Sequence, residues 1–135
     1  MASKFEIVAF TAGISEYADK IVHLLDPKGH YFSRTLSRDH CIPREGLFVK
    51  DLSIVRDREL RDMVLVDNSL VSFSFNLENG IPVTDFIVDS NHNSPLSDDT
   101  QLKDLVELLS QVEAVEDVRT LLTDLFGLRR ATIEC

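Results

Sequence analysis

The chain has 135 residues, a length typical of one domain, and 44% of them are hydrophobic, which is enough for one sizeable core. Its formal net charge of −9 argues against non-specific nucleic-acid binding, because that binding depends on Lys and Arg neutralising phosphates. No stretch approaches the roughly 20 consecutive apolar residues of a membrane span, and no signal peptide is visible. We therefore expect a soluble intracellular protein, nuclear or cytoplasmic.

The first half of the chain is predicted to contain a buried strand, a helix and several short extended segments. The apolar run 5–10 is rich in β-formers and ends at Thr11, which indicates a buried strand. Apolar residues at helical spacing then predict a helix between Ser15 and Asp26. The next expected element is a polar extended segment over 31–41, part of a strand or hairpin. It is followed by a turn over 43–46, a short strand over 47–49 and a surface turn or short helix over 54–62.

The second half is predicted to contain two more strands and two helices. Residues 63–66 form a second candidate for a buried parallel strand, and residues 81–83 form an edge strand because Pro82 cannot donate to a ladder. Residues 70–80 read as a short helix or loop, and residues 89–97 read as a loop. A helix is expected to begin at Asp98 or Asp99 and a second one to cover 115–125. Apolar strands that alternate with amphipathic helices predict an α/β three-layer fold.

Polar side chains follow three of the predicted strands. Thr11 follows the first strand, Lys50 follows the strand 47–49, and Asp67 with Asn68 follows the strand 63–66. Ligand sites in open parallel sheets lie at the carboxyl ends of strands, so these groups are candidates for a phosphate and magnesium site. Each also has an ordinary explanation, since a Thr there is often a helix cap, a Lys is often on the surface and Asp-Asn is often a turn.

Positive charge is concentrated in the middle of the chain, and acidic residues dominate the last forty positions. This arrangement suits a pocket that receives an anion, although an ordinary solvated surface would give the same pattern. The basic residues concerned are Lys28, Arg34, Arg38, Arg44, Lys50, Arg56, Arg58 and Arg61.

A set of motifs, distributed in order along nearly the whole chain, resembles one protein family. The segments that carry the resemblance are 5–12, 17–19, 24–29, 38–41, 49–53, 66–69, 78–83, 98–102 and 115–119. They resemble the RNA polymerase II C-terminal-domain small phosphatases, also called the NLI-interacting-factor-like family. This family belongs to the haloacid dehalogenase superfamily, has a Rossmann-like three-layer core, and removes phosphate from phosphoserine or phosphothreonine.

The resemblance implies a role for each candidate residue. Thr11 matches the hydroxyl that binds phosphate, and Lys50 matches the amine that steadies the charge of the phosphate or phospho-enzyme. Asp67 and Asn68 match the motif that holds Mg²⁺. Arg38 matches an arginine near the substrate entrance.

The sequence departs from the family at its first motif. The family opens with an apolar strand that ends in Asp-x-Asp-x-Thr, where the first Asp attacks phosphorus and the second is the acid and base. These 135 residues contain no such motif. Without a nucleophile there is no phospho-aspartyl intermediate, and Mg²⁺ loses two of its usual ligands, so we expect its binding to be weak or absent.

The same departure predicts a gap in the sheet. In the family's fold the missing strand is central, between the strands that here end at Thr11 and Asp67. Removing one strand opens a gap of about twice the 4.8 Å strand spacing, so we expect the flanking strands to pair directly or another segment to enter. The candidates for that segment are 131–135, a second copy of the chain and a separate polypeptide.

The sequence as a whole predicts a single truncated phosphatase-like domain over residues 1–135. The first hypothesis is a domain that is inactive alone and acts as an interaction or regulatory module, with a phosphoprotein or other protein as partner. The alternative is that the chain is a fragment of an active Mg²⁺-dependent protein serine/threonine phosphatase. A third hypothesis has the aspartates supplied in trans by a partner.

Overall fold

The computed structural model describes residues 4–84 and 96–127, without the side chains of 96–99. The predicted loop 89–97 therefore lies largely outside the described residues. The strands are β1 (Ile7–Phe10), β2 (Phe32–Leu36), β3 (Ile42–Arg44), β4 (Leu47–Val49), β5 (Leu65–Asp67) and β6 (Gly80–Pro82). The helices are α1 (Ser15–Leu25), α2 (Leu96–Ala114) and α3 (Val118–Phe126). Within the described ranges, none of the helices has both the length and the apolarity to cross a membrane.

The strands form three separate pairs. β1 pairs with β2 in parallel, β3 pairs with β4 antiparallel, and β5 pairs with β6 in parallel. The architecture is therefore mixed α/β, as expected, but the one continuous parallel sheet of a three-layer core does not form among the described residues. The reason is that β1 and β5 do not pair with each other and no described strand lies between them, so the expectation of direct pairing is wrong for this part of the chain.

A tight turn joins β3 and β4 into a hairpin over the segment predicted as a turn. Its two central residues, Glu45 and Gly46, have φ values of 53° and 81°. Positive φ at both central positions is the geometry of a two-residue turn that matches the twist of the flanking strands. Gly46 adopts it without strain, whereas Glu45 carries a Cβ into the left-handed region.

The predicted polar segment 31–41 is shorter as a strand than expected. β2 ends at Leu36, and residues 38–40 form a single 3-10 turn instead. The backbone N–H of Ser37 donates to Nδ1 of His40 at 3.1 Å, which stabilises this turn. The turn places Arg38 beside the loop that follows β1.

The core consists of two clusters that share Phe126 of α3. The first cluster contains the buried residues Leu52, Leu65 and Phe73. The second contains the buried residues Ile81, Val112, Val118 and Leu122. Because Phe126 packs against both, α3 joins the region around β5 to the region around β6 and α2.

The two strands that the sequence predicts to be buried are only partly covered. None of the four residues of β1 is buried. In β5, Leu65 and Asp67 are buried but Val66 between them is 37% exposed. The prediction of buried strands is therefore wrong in degree. Each strand has a neighbour on a single edge among the described residues, which leaves its other edge uncovered.

Candidate anion pocket

Lys50 and Asp67 form a buried ion pair at the centre of the candidate site. Lys50 directly follows β4 and Asp67 is the last residue of β5, so the carboxyl ends of two separate strands meet here. The Nζ of Lys50 contacts Oδ2 of Asp67, and the two side chains are 10% and 6% exposed. The other carboxylate oxygen of Asp67, Oδ1, accepts the backbone N–H of Ser69 at 3.0 Å. Both oxygens of Asp67 are thus engaged.

The segment between β5 and β6 holds this ion pair in position. The backbone N–H of Lys50 donates to the carbonyl of Ser72 at 3.2 Å. The N–H of Leu52 donates to Oδ1 of the buried Asn76 at 2.8 Å. Two independent hydrogen bonds therefore tie the residues around Lys50 to the chain that follows Asp67.

Thr11 lies in the loop between β1 and α1. Its Oγ1 accepts the N–H of Gly13 at 3.1 Å, which orients the hydroxyl within the loop. The N–H of Thr11 donates to the carbonyl of Leu36 at 2.9 Å and fixes the loop to the end of β2.

Arg38 is bound to the same loop by two hydrogen bonds. Its Nε donates to the carbonyl of Ala12 at 2.8 Å, and its backbone N–H donates to the carbonyl of Gly13 at 2.9 Å. The guanidinium lies 4.8 Å from the ring centroid of Phe48 on β4. Arg38 is exposed, so its guanidinium is available to an anion at the mouth of the site.

Cys41 lies between the loop of Thr11 and the region around Lys50. Its thiol lies 3.8 Å from the carbonyl of Thr11. Burial raises the pKa of the Cys41 thiol above its ordinary value, and the positive charges of Lys50 and Arg38 partly oppose this, while Asp67 reinforces it. The Nζ of Lys50 lies 5.8 Å from the ring centroid of Phe10, which precedes Thr11, and Arg38 is bonded to Ala12. The structure therefore brings the Thr11 loop, Arg38 and the Lys50–Asp67 pair to one end of the strands.

Two residues of this site were not predicted from the sequence. The sequence predicted that Phe48 lies in a strand. Its stacking on Arg38 depends on the hairpin that β3 and β4 form, and no local sequence pattern indicates this contact. Cys41 was identified as part of a family motif without a role. Its buried position beside Lys50 follows from the 3-10 turn that precedes it.

The residues present do not fit a magnesium site. Mg²⁺ requires several hard oxygen ligands in near-octahedral geometry. Asp67 is neutralised by Lys50, and Asn68 follows it at an exposed position. No group of three or more His, Cys, Asp or Glu suited to a metal occurs among residues 4–84 and 100–127. We therefore derive no chemical step through a metal.

The described side chains of the candidate site include no activated nucleophile. A thiolate attacks more readily than a thiol, and the raised pKa of Cys41 keeps it protonated. Asp67 is committed to Lys50 and Ser69.

A groove of about 500 Å³ lies next to this site, between β1 and β5. One wall is formed by residues 4–8 with Phe10, and the opposite wall by residues 62–66. Leu52, Val55, Leu109 and Val112 are also among its lining residues. The Nζ of Lys50 lies 5.8 Å from the ring centroid of Phe10, so the groove ends at the candidate pocket.

The basic residues of the middle region do not all belong to this pocket. Arg34 pairs with Glu6 at 3.4 Å and with Asp57 at 3.1 Å, and Arg58 pairs with Glu6 at 3.0 Å. The hydroxyl of Ser33 and these guanidinium groups lower the pKa of Glu6. The basic residues of this region are therefore divided between two kinds of place. Lys50 and Arg38 lie at the candidate site, whereas the remaining basic residues lie in surface ion pairs or elsewhere.

Comparison with known proteins gives a consistent result. A family model described as NLI interacting factor-like phosphatase matches residues 1–119. The chain is 39% identical over 124 residues to CTD small phosphatase-like protein 2 of Dictyostelium discoideum, covering 92% of the chain and 20% of that protein. It is 37% identical over 130 residues to CTD small phosphatase-like protein 3 of Caenorhabditis elegans, covering 96% and 42%.

A human relative shows the same extent of similarity. The chain is 38% identical over 125 residues to carboxy-terminal domain RNA polymerase II polypeptide A small phosphatase 2 of Homo sapiens, covering 93% of the chain and 43% of that protein. The chain thus spans between 20% and 43% of the length of these three relatives.

Proposed function

Because the chain belongs to the NLI interacting factor-like phosphatase family, we propose that it binds phosphoserine or phosphothreonine segments of a protein partner without hydrolysing them on its own. In this proposal Thr11, Arg38 and Lys50 recognise the phosphate. The domain acts as an interaction or regulatory module in the nucleus or cytoplasm. Its fold is that of a haloacid dehalogenase core in which the central strand is missing.

The observation that carries this proposal is the buried Lys50–Asp67 ion pair beside the loop of Thr11. A buried lysine needs a counter-charge, since an unpaired buried charge is costly. Asp67 supplies that charge here. A phosphate group that enters the pocket would compete with Asp67 for the ammonium, while the exposed Arg38 provides a second charge-assisted contact.

A second candidate function is supported by the length of the relatives and by the open groove. The human relative is more than twice as long as these 135 residues. The residues of the candidate pocket lie at one end of the groove between β1 and β5. A strand that carries the family's Asp-x-Asp-x-Thr motif would complete a Mg²⁺-dependent protein serine/threonine phosphatase. In that case the chain is a part of an active enzyme.

The two candidates are separated by measuring binding and turnover on the same protein. Binding is measured by titrating a phosphoserine peptide and its unphosphorylated counterpart into the purified chain. Turnover is measured with p-nitrophenyl phosphate and Mg²⁺, beside a version of the chain that carries a grafted family first strand. We expect the chain to bind the phosphorylated peptide at least tenfold more tightly and to show no turnover.

Arg38→Gln is the matched variant for the binding measurement because Arg38 is exposed and its loss leaves no buried charge unpaired. We expect it to reduce the preference for the phosphorylated peptide several-fold, since a charge-assisted contact is lost. Turnover by the ungrafted chain that survives repurification and is abolished by Asp67→Ala would contradict the proposal. Activity that appears only with the graft would favour the second candidate.

A further inference from the structure

The two faces of the β3–β4 hairpin carry different arginines. Arg44 and Leu47 lie directly opposite each other in the register, on either side of the two-residue turn, so their side chains share one face. Pro43 and Phe48 form the next pair and therefore lie on the other face. Arg38 stacks on that second face, with its guanidinium 4.8 Å from the ring centroid of Phe48. The face with Arg44 is therefore a surface separate from the candidate anion pocket.

Arg44 is held on an aromatic ring and lies beside an exposed leucine. Its guanidinium lies 4.8 Å from the ring centroid of Phe75, and the face of an aromatic ring attracts a guanidinium and fixes its plane. Phe75 is 40% exposed, and Leu47, the cross-strand neighbour of Arg44, is 52% exposed. Arg44, Leu47 and Phe75 thus form one surface, the hairpin patch, that combines a positive charge with two apolar side chains.

The positive charge of Arg44 has no acidic partner in the described part of the chain. There Arg44 forms no hydrogen bond or ion pair, and the adjacent Glu45 does not pair with it. The sequence has 23 acidic and 14 basic lysine and arginine residues, so carboxylates are plentiful. Four other arginines do pair with carboxylates: Arg34, Arg58, Arg61 and Arg119. The guanidinium edge of Arg44 is therefore available to a carboxylate of another molecule.

The backbone of the hairpin is poorly suited to the addition of a further strand. Pro43 lies at the centre of β3 and has no N–H to donate to a neighbour. Beyond the end of β4, the N–H of Lys50 already donates to the carbonyl of Ser72. A partner would therefore contact this hairpin through the side chains of the hairpin patch.

We propose that the hairpin patch is a docking surface for a protein segment in which a carboxylate side chain lies next to bulky apolar side chains. The carboxylate accepts two hydrogen bonds from the guanidinium of Arg44, whose plane is already fixed by Phe75. The apolar side chains pack on Leu47 and on the exposed part of the Phe75 ring. Arginine and aromatic residues are the side chains that most often dominate the binding energy of protein interfaces.

The test uses the full chain and an unphosphorylated synthetic peptide without metal, so its result is independent of the phosphate binding proposed above. The peptide has the order glutamate, leucine, glutamate, phenylalanine between glycine-serine ends. Because the patch is small, binding is followed by chemical-shift changes in the amide and arginine side-chain spectrum of the isotope-labelled chain. We expect the signals of Arg44, Leu47 and Phe75 to shift, and the amide of Leu24 on the exposed side of α1 to stay unchanged.

Arg56→Gln is the matched control for Arg44→Gln. Arg56 is also exposed and has no ion pair among the described residues, but it does not stack on an aromatic ring there. We expect Arg44→Gln to weaken peptide binding at least fivefold and Arg56→Gln to change it less than twofold. Leu47→Ser should also weaken binding at least threefold, because it removes apolar contact. All three positions are exposed, so the variants should fold, which circular dichroism checks.

Two control peptides separate the contribution of charge from that of apolar contact. Replacing both glutamates by glutamine, or replacing the leucine and the phenylalanine by serine, should weaken binding at least fivefold. Equal binding of the glutamine peptide would overturn the proposal, as would equal losses for Arg44→Gln and Arg56→Gln. The proposal would also fail if the peptide shifted none of the three signals of the hairpin patch.

A second copy of the chain is the other occupant that the experiment distinguishes. Sedimentation measures whether the chain without peptide forms a dimer as its concentration rises. We expect Leu47→Ser to leave the sedimentation behaviour unchanged. A dimer that Leu47→Ser dissociates would assign the hairpin patch to self-association and would overturn its assignment to an acidic segment of another protein.

Discussion

Lys50 and Asp67 neutralise each other inside the protein, with side chains that are only 10% and 6% exposed. Each of these residues comes from a different strand pair, so the interaction joins β4 to β5. In a buried ion pair, the desolvation cost falls on both partners and is offset only while both are present. The net contribution of the pair to stability is therefore small, whereas the removal of one partner is costly because it leaves a buried charge unpaired.

Removing one partner of this pair should be more damaging than removing both charges. We expect Lys50→Met or Asp67→Asn alone to reduce the free energy of unfolding by about 3 kcal/mol, because each leaves a buried charge unpaired. The double variant should lie within about 1.5 kcal/mol of the original chain, since no charge remains. Urea denaturation of the four proteins measures the coupling. Additive losses would show that the two residues do not act as a pair.

Replacing Glu45 by glycine should stabilise the hairpin of β3 and β4. Glu45 has a φ of 53°, which a residue with a Cβ adopts at a cost, whereas glycine adopts it freely. Part of this gain is lost because glycine is more flexible in the unfolded chain, so we expect a net increase of about 0.5–1 kcal/mol in the free energy of unfolding. Thermal denaturation measures it.

Gly46→Ala is the matched control for that change. Gly46 has a φ of 81° and no atom within 4 Å of the position of an added Cβ, so only backbone strain is introduced. We expect a loss of about 1 kcal/mol. If Glu45→Gly and Gly46→Ala shift stability in the same direction, positive φ is not what determines the stability of this turn.

The carboxylate of Asp26 should make the stability of the protein depend on pH in the acidic range. It accepts the backbone N–H groups of His30, Tyr31 and Phe32, each at 2.9 Å, and the bond from Phe32 contributes most to lowering the pKa of Asp26. Because the folded-state pKa lies below the unfolded value, the stabilisation is present above the ordinary Asp pKa of about 3.9. It is lost as pH falls through the folded-state value.

Asp26→Asn tests this dependence. We expect the variant to melt at a lower temperature than the original chain at pH 7, and the difference to shrink as pH falls below about 3.9. Melting temperatures measured by circular dichroism between pH 7 and the acid limit of folding check the result. Two parallel curves over that range would contradict it.

Asn79 should be among the most sensitive polar positions of the fold. It is 2% exposed, and its Nδ2 donates to the carbonyls of Leu60 and Met63 at 2.6 and 2.9 Å. Asn79→Leu keeps the branch at Cγ, but it is larger and leaves two carbonyls without a donor, so we expect a loss of about 2–4 kcal/mol in the free energy of unfolding.

Ser74→Ala is the control for Asn79→Leu because it also removes a side-chain donor to a backbone carbonyl. The Oγ of Ser74 donates to Val71 at 2.7 Å, but this bond is exposed and water replaces it. We expect a change below about 0.5 kcal/mol, measured by chemical denaturation. Similar losses for the two variants would mean that burial does not decide the cost.

The strands and helices were largely predictable from the sequence because their signals are local. The apolar run before Thr11 and the pattern around Leu105 and Leu122 produced β1, α2 and α3 near the expected positions. The strand pairing and degree of burial were not predictable in the same way. Both depend on which segment lies beside β1 and β5, and no local pattern in those strands specifies their neighbour.

The sequence predicted that Thr11, Lys50 and Asp67 lie at strand ends, but it did not predict their interactions. Thr11, Lys50 and Asp67 were placed at strand ends by the sequence pattern, and the structure brings their surroundings to one region. The pairing of Lys50 with Asp67 could not be foreseen, because the resemblance implied separate roles for the two residues.

A gap with an open edge on each side behaves differently from the outer margin of a sheet. When a strand joins an ordinary margin, it exposes a new margin of its own, and the process can repeat until a fibre forms. A strand that enters between β1 and β5 would satisfy both edges and leave no fresh one behind. The gap between β1 and β5 can therefore take up only one strand, so the resulting assembly is closed and does not grow into a polymer.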